Sequence, residues 1–224
     1  RVRGMCSEAK AEEKTDGDLR REILSASLKH VPRWGWTQES IAAGSKDLGL
    51  SLMAHGMFPR GGIELIEHLH DTLHEEWLAD LEATNTQGHT TVEKLLFACR
   101  TRLLKQSGYM SAWPQALALQ AMPLNAPAAI ANLARTCDAA WMHAGDQSVD
   151  ASWYSKRMML GGVYMAAEVY MLTDYSVDFE DTFSFLDRQL RDVQSTGAQL
   201  GLAFQQVEVL MQQALQSMKD SRQK

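Results

Sequence analysis

The sequence has little cysteine and no excess of positive charge. Cys6, Cys99 and Cys137 stand apart, and an odd, scattered set of this kind predicts free, buried thiols. The 22 Lys and Arg residues are outnumbered by 28 Asp and Glu residues, which gives a net charge of −6. Domains that bind nucleic acid usually carry a basic excess. The composition therefore argues against a disulfide-stapled domain and against a nucleic-acid-binding protein.

Long apolar runs and the common catalytic motifs are also absent. No stretch approaches the roughly 18 apolar residues of a membrane-spanning helix. The longest run, 158–167, ends at Glu168. The sequence contains no Gly-x-Ser-x-Gly motif and no glycine loop of the phosphate-binding kind. It therefore predicts neither an enzyme nor a cofactor.

One segment, EHLHDTLHEE at 67–76, has the residue types of a metal site. Glu67 and His70 have the Glu-x-x-His spacing of di-iron bundle proteins. Those sites draw ligands from several facing helices, and no second Glu-x-x-His occurs in this chain. We therefore expect most of these side chains to lie on a solvated helix face and to hold no metal.

Helical periodicity runs along almost the whole chain and predicts a single all-α domain of nine or ten helices. Residues 1–17 are polar and are predicted to be disordered. The main domain covers 18–195, and 196–224 form an amphipathic helix and tail. Predicted helices cover 18–31, 37–46, 52–58, 62–84, 90–106, 178–195 and 197–218, with others starting near 113, 125 and 153. Thr90 and Asn125 are the candidate N-caps of two of them.

Residues 37–58 have the pattern of a helix-turn-helix. Thr37 is a candidate N-cap and Gly49 occupies the turn, where a positive φ is easiest for glycine. The second helix, SLMAHGMF, offers no Lys or Arg to a DNA backbone or base edge. The motif thus keeps the shape of a repressor without its chemistry. A repressor remains the alternative that specific duplex binding would reveal.

Methionine is abundant, with 12 residues, several of which fall in the central helices near two tryptophans. Flexible thioether chains suit a pocket for a long apolar ligand, although they also fill gaps in an ordinary core. Both interpretations stay open at this point. The candidate lipid-binding residues are Met110, Trp113, Met122, Trp141, Met142, Met158 and Met165.

Residues 197–218 form a strongly amphipathic pattern, apolar on one side and rich in glutamine on the other. A terminal helix of this kind docks on its own domain, pairs with a partner or lies in a membrane interface. The candidate membrane-contacting residues are Leu200, Phe204, Val207, Leu210 and Met211.

The helices predicted near 153–173 and 178–195 could pair across two chains. The second carries a narrow apolar seam, and Gly161 and Gly162 on the first permit close backbone approach. Two such helices from each chain would form a dimeric four-helix bundle. Packing within one chain is the alternative.

Two large rings, Trp153 and Tyr154, stand where a polar loop meets a helix. Asp150 is positioned as the N-cap of that helix, and Arg157 follows Trp153 by four residues, which allows a cation–π contact. Trp, Tyr and Arg dominate interface hot spots, so these four residues predict a partner-docking patch. Rings that merely cover the edge of the core are the alternative.

Several segments resemble the eukaryotic lipid-binding accessory proteins of coenzyme Q biosynthesis, and the resemblance spans about residues 18–218. The most specific are WMHAGDQSVDASWYSKRMML at 141–160 and VDFEDTFSFLDRQL at 177–190. WPQALALQAMPLNAP at 113–127 and GWTQESIAAGSKDLGLSLMAHGMFPRGGIELIEH at 35–68 also match. Where that family usually carries a large apolar residue before the tryptophan equivalent to Trp141, this chain has Ala140.

The resemblance implies a non-catalytic protein with a TetR-like lipid-binding domain over 18–195 and a vestigial helix-turn-helix. It implies a dimer in the mitochondrial matrix, peripheral to the inner membrane, with 197–218 as an anchor. Its ligand would be an isoprenoid lipid or quinone precursor, presented to the di-iron demethoxyubiquinone hydroxylase. The docking patch would be Asp150, Trp153 and Tyr154. The alternative is a structural subunit of a larger mitochondrial membrane complex.

Overall fold

A computed structural model describes residues 16–193, and this part of the chain contains helices and turns but no strand. The predicted all-α fold class is confirmed, with nine α-helices in the described range. They are α1 (Asp16–Leu28), α2 (Val31–Trp34), α3 (Gln38–Asp47), α4 (Gly62–Ala83), α5 (Thr91–Lys105), α6 (Trp113–Gln120), α7 (Ala126–His143), α8 (Ala151–Met171) and α9 (180–193). Short 3-10 helices form at Leu52–Met57, Ser107–Ala112 and Val177–Phe179.

The predictions for the two ends of the chain lie mostly outside the described residues. These are the disordered opening segment and the amphipathic helix at 197–218. Asp16, which was assigned to the disordered segment, already belongs to α1. Within 16–193, no helix is both long enough and apolar enough to cross a membrane.

The described chain forms two compact units, and the boundary between them falls within α4, after Leu69. In the first unit α1 packs closely on α3. A Cβ on Gly44 would lie 2.2 Å from the Oγ of Ser27, so glycine permits this approach. Gly49 has φ 72°, which confirms the predicted turn. The backbone of Thr37 is extended, as in an N-cap, but its hydroxyl donates to the carbonyl of Trp34 instead of accepting from α3.

The second part of the predicted helix-turn-helix is not an α-helix. Leu52–Met57 forms a 3-10 helix of six residues, which spans about 12 Å at ~2 Å per residue. Pro59 follows closely, and a proline disfavours the α conformation in the residue before it. The motif therefore keeps its chain path but has lost a regular second helix.

The second unit is built around a core in which α5, α7 and α8 meet. Cys99 and Cys137 are free and buried there, as predicted, and burial raises the pKa of the Cys137 thiol to about 12. The largest buried side chains of this core include Trp77, Leu103, Leu160, Tyr164, Met171, Phe183 and Leu186.

The predicted starts of three of these helices have different outcomes. Thr90 and Glu93 form a capping box at α5, as the predicted N-cap requires. The cap predicted at Asn125 is wrong in its side chain, which donates to the carbonyl of Leu119 at 2.8 Å. Helix α9 begins two residues later than predicted because Asp178 and Phe179 adopt left-handed φ values of 52° and 59°.

Candidate functional site

The loop between α7 and α8 is held by one buried carboxylate. Oδ1 of Asp146 accepts from Nζ of Lys156 at 2.6 Å, and its Oδ2 accepts from Nη1 of Arg157 at 3.0 Å. Ser148 Oγ also donates to Oδ2 at 2.7 Å. Burial opposes ionisation of Asp146, yet these three hydrogen bonds hold its pKa well below the usual range. The loop is therefore fastened to the first turns of α8 by charge.

Arg157 is the centre of this arrangement and is only 8% exposed. Its Nε donates to Oδ1 of Asp138 on α7 at 2.7 Å, and its Nη1 donates to both Asp146 and the carbonyl of Trp153. The guanidinium carbon lies 4.2 Å from the ring centroid of Trp153, which confirms the predicted cation–π contact. Its Nε and Nη1 groups are thus used within the protein, and Arg157 lies beneath the Trp153 ring of the candidate docking patch.

The two rings of the candidate docking patch have different environments. Trp153 is half-buried against Arg157, and Tyr154 packs edge-on against it with 4.8 Å between ring centroids. Tyr154 is 68% exposed. Asp150 caps α8 as predicted, because its Oδ1 accepts from the backbone N–H of Ser152 at 3.0 Å. Tyr154 is therefore exposed to solvent and rests on Trp153, which is held in turn by the ion-paired Arg157.

Trp141 lies beside Lys156, one of the ion-pair partners of Asp146. Its indole Nε1 donates to the carbonyl of Lys156 at 3.1 Å, and Nζ of Lys156 lies 5.5 Å from the ring centroid. Trp141 was assigned to lipid binding, but it joins α7 to the start of α8. The preceding Ala140 is buried and adds no apolar surface to the patch.

The exposed face of α8 carries no charged residue. It extends from Tyr154 to Tyr170, about 24 Å at ~1.5 Å per residue. A Cβ on Gly162 would meet no atom within 4 Å. The exposed residues of this face, named here the α8 stripe, are Tyr154, Ser155, Met158, Gly162, Met165, Ala166, Val169 and Tyr170.

The structure does not gather the seven candidate lipid-binding residues around one interior space. Trp113 is fully buried, and Met110 packs on the core of the second unit. Periodicity groups Met158 with Met165 on one helix face, but it does not reveal that this face points outward. The lipid-binding role itself stays a prediction. The exposed members of the set are Met122, Met142, Met158 and Met165.

A polar network inside the second unit was missed by sequence reasoning. Oε1 of the buried Glu168 accepts from Nε2 of Gln106 at 2.9 Å and from Nε1 of Trp113 at 3.2 Å. Burial raises the pKa of Glu168, although these hydrogen bonds and the nearby charge of Arg102 act to lower it. The one available signal was the acidic residue that ends the apolar run of α8.

The network continues from Gln106 to the end of α6. Oε1 of Gln106 lies 3.5 Å from Nη1 of Arg102, and Nη2 of Arg102 lies 3.1 Å from Nδ1 of His70. An arginine can only donate, so His70 Nδ1 accepts and its Nε2–H donates to Oε1 of Gln120. Burial lowers the pKa of His70 to about 4, which keeps the ring neutral. Helices α4, α5, α6 and α8 are thus joined by one chain of hydrogen bonds.

The metal-like segment of α4 is divided among separate contacts. Both guanidinium amino groups of Arg60 bind Glu67, while His70 belongs to the network above. The expected solvated face is only partly found, because His74 is buried. Within residues 16–193, no group of three His, Cys, Asp or Glu side chains is placed to hold a metal ion.

Comparison with known proteins first defines the class of fold. The structure of a TetR transcriptional regulator from Nitrosomonas europaea superposes with a TM-score of 0.62 at 17% identity. The superposition covers 77% of this chain and 96% of that one. The fold is therefore TetR-like, as the resemblance implied.

Sequence comparison then defines the family. The model described as "Ubiquinone biosynthesis protein COQ9, N-terminal domain" matches residues 16–46, and the COQ9 model matches 126–197, which include the candidate docking patch. COQ9 from Xenopus tropicalis is 39% identical and that from Homo sapiens 38%, each over 82% of this chain. Both are named mitochondrial, and the match spans 60% of their length. The chain belongs to the COQ9 family of ubiquinone biosynthesis proteins.

Proposed function

We propose that this chain is a non-catalytic accessory protein of ubiquinone biosynthesis. It binds an isoprenoid quinone intermediate and presents it to the demethoxyubiquinone hydroxylase. It works in the mitochondrial matrix, peripheral to the inner membrane, where residues 197–218 contact lipid. The observation that carries the docking part is the exposed Tyr154 ring above the buried charges of Arg157 and Asp146.

A fixed aromatic surface suits this role because binding then orders little of the protein. Trp153 is held by the guanidinium of Arg157, and Tyr154 is held against Trp153. Ordering a flexible side chain on binding costs about 0.5–1.5 kcal/mol. Exposed tyrosine and tryptophan are also frequent hot spots in protein interfaces. Val149, in the loop before α8, and Met142, beside Trp141 on α7, are also exposed apolar residues.

Replacing Tyr154 with alanine tests the docking patch. The change removes an exposed ring, so the fold should remain intact while the affinity for the hydroxylase falls. A hot-spot loss of about 2 kcal/mol corresponds to a dissociation constant roughly 30-fold higher. The measurement is the binding isotherm of the purified hydroxylase with the wild-type and variant chains.

The matched control is Tyr175→Ala, which removes a tyrosine that is 96% exposed and lies in the loop after α8. It should bind the hydroxylase like the wild type. Equal affinities for all three proteins would place the docking surface elsewhere. Lipid extracted from each preparation separates the two roles, since an isoprenoid quinone or precursor should copurify with all of them.

The proposal includes a homodimer formed through the part of the α8 stripe from Met158 to Tyr170, which leaves Tyr154 open to the hydroxylase. A second copy related by a two-fold axis would place the same uncharged surface against itself. Gly162 and Ala166 are exposed and four residues apart, and small residues at this spacing let two helices approach closely. This part of the stripe would then be covered in the dimer, while Tyr154 would remain exposed.

Gly162→Lys is expected to weaken the dimer at least tenfold, because it places a charge in the middle of the α8 stripe. Open space around Gly162 lets the single chain accept the new side chain. Gly108→Lys is the control, since that glycine also faces open space but belongs to the 3-10 helix before α6. Sedimentation velocity over a concentration series measures both. A Gly162→Lys dimer as stable as the control would rule out this surface.

A further inference from the structure

The sequence from Gln106 to Ala134 contains no Asp, Glu, Lys, Arg or His, although such acidic and basic residues are frequent elsewhere in the chain. It covers α6, the turn that follows, and the first half of α7. We refer to residues 119–131, the middle of this stretch, as the α6–α7 corner. A solvent-facing turn between two helices normally contains polar residues, so its chemistry requires an explanation.

The corner exposes large apolar side chains. Leu124 is 90% exposed at the turn, and Met122 and Ile130 are also exposed. Pro123 and Pro127 are exposed between them and restrict the backbone. None of these side chains has a hydrogen-bond donor or an aromatic ring that a protein partner could bind.

Most backbone N–H groups of the corner find acceptors within it or in the last turn of α6. The two prolines have no N–H. The side-chain amide of Asn125 donates to the carbonyl of Leu119. The backbone donors that find internal carbonyls are Ala121 to Leu117 at 2.9 Å, Met122 to Leu119 at 3.3 Å, Asn125 to Met122 at 2.8 Å, Ala126 to Met122 at 2.9 Å, and Ala129 to Asn125 at 3.1 Å.

We propose that the α6–α7 corner inserts into the acyl-chain region of a lipid surface. Hydrocarbon cannot hydrogen-bond to a backbone, so a segment that enters it must satisfy its own N–H and C=O groups. The corner satisfies most of its N–H groups internally, carries no charge, and places its most exposed leucine at the turn. Protein interfaces instead favour Tyr, Trp and Arg, which the corner lacks.

The corner would bind the membrane weakly and reversibly. Fully burying one Leu, Met or Ile side chain contributes about 1.5–3 kcal/mol. Three such side chains are therefore comparable to a single short lipid anchor, which binds membranes only marginally. The inference rests on the proposed membrane location but uses residues separate from 197–218, so the two contacts would reinforce each other.

Leu124→Glu in the full chain tests the insertion. The control is Val177→Glu, which makes the same kind of change at a valine that is 80% exposed in the α8–α9 loop. The probe is flotation with neutral phosphatidylcholine vesicles, because the corner has no charge to attract anionic lipid. We expect the vesicle-bound fraction to fall at least fivefold for Leu124→Glu and to stay unchanged for Val177→Glu. Equal flotation of the two variants would overturn the inference.

A reporter at the corner gives a second, independent measurement. Leu124→Cys in a Cys6→Ser background can carry an environment-sensitive dye, since Cys99 and Cys137 are buried. The dye should shift to shorter wavelength on addition of vesicles and be quenched by lipids brominated in their acyl chains. A dye that responds to the hydroxylase and not to vesicles would show a protein interface and overturn the inference.

Deleting 197–218 separates this inference from the proposed function. If the deletion abolishes flotation and Leu124→Glu leaves it unchanged, the membrane location stands and the corner does not insert. If the wild-type chain itself does not float, both ideas fail. If each change lowers flotation and the dye at 124 reports hydrocarbon, both contacts are supported.

Discussion

Replacing Arg157 with methionine is expected to lower the free energy of unfolding by about 3–5 kcal/mol, the usual cost of breaking a buried ion pair from one side. Both the Arg157 and Asp146 side chains are buried, at 8% and 6% exposure. Without Arg157, the buried carboxylate of Asp146 keeps only Lys156 and Ser148 as partners. Trp153 loses the cation beneath its ring, so the affinity for the hydroxylase should also fall. Urea unfolding and the binding isotherm measure the two effects.

Lys156→Met is the matched control for Arg157→Met. Lys156 also binds Asp146, at 2.6 Å, but its side chain is much more exposed to solvent. Pairs with an exposed partner contribute about 0–1 kcal/mol, so this variant should remain close to the wild type in stability. Similar losses for both variants would show that Asp146 needs any cation and that the buried guanidinium has no special role.

The same ion pairs predict how stability depends on acid. The folded state holds the pKa of Asp146 below its unfolded value of about 4. The ionised Asp146 therefore contributes fully to the free energy of unfolding above pH about 4. That contribution is lost as the pH falls towards the pKa of Asp146 in the folded state. Asp146→Asn should be less stable at neutral pH and should lose less stability between about pH 5 and pH 2 than the wild type.

Replacing Glu168 with leucine is expected to cost about 2–4 kcal/mol, because two buried N–H groups lose their acceptor and each such loss costs about 1–3 kcal/mol. The donors are Nε2 of Gln106 and Nε1 of Trp113. The gain from burying leucine offsets only part of this. Thermal and urea unfolding give the change in stability, and weaker near-ultraviolet dichroism of Trp113 should accompany it.

Glu168→Gln separates the hydrogen bonds from the charge. Glutamine keeps a carbonyl acceptor in nearly the same place, so its cost should be well below that of leucine. Burial raises the pKa of Glu168 in the folded state. A raised carboxyl pKa means that stability falls as the pH rises from the unfolded to the folded value. The glutamine variant should lack this fall, and an unchanged pH profile would contradict the assignment.

The α-helices were predictable where local signals agree. Thr90 and Glu93 fix the start of α5, and the apolar spacing of α4 gives its length within a residue or two. Such signals operate within one or two helical turns, so residues that are close in sequence are sufficient to predict where a helix begins and ends. They were insufficient at Leu52–Met57, where the chain forms a 3-10 helix in place of the predicted α-helix.

The candidate site was predictable in part. Trp153, Tyr154 and Asp150 stand together in the sequence, and the cap and the cation–π contact follow from spacings of a few residues. Asp146 was not assigned a role, because its contacts with residues 10 and 11 positions later depend on how the loop folds back.

The sequence by itself determined that this protein is helical, that it carries an aromatic pair at the start of α8, and that it belongs to the COQ9 family. Those properties rest on periodicity, local capping and matching segments. The tertiary structure decided which helix faces reach solvent, and so moved Met158 and Met165 from an expected pocket to the surface. It also brought Arg102, Gln106 and Glu168 together in the core. Contacts between distant helices depend on packing, and no short window of sequence specifies packing.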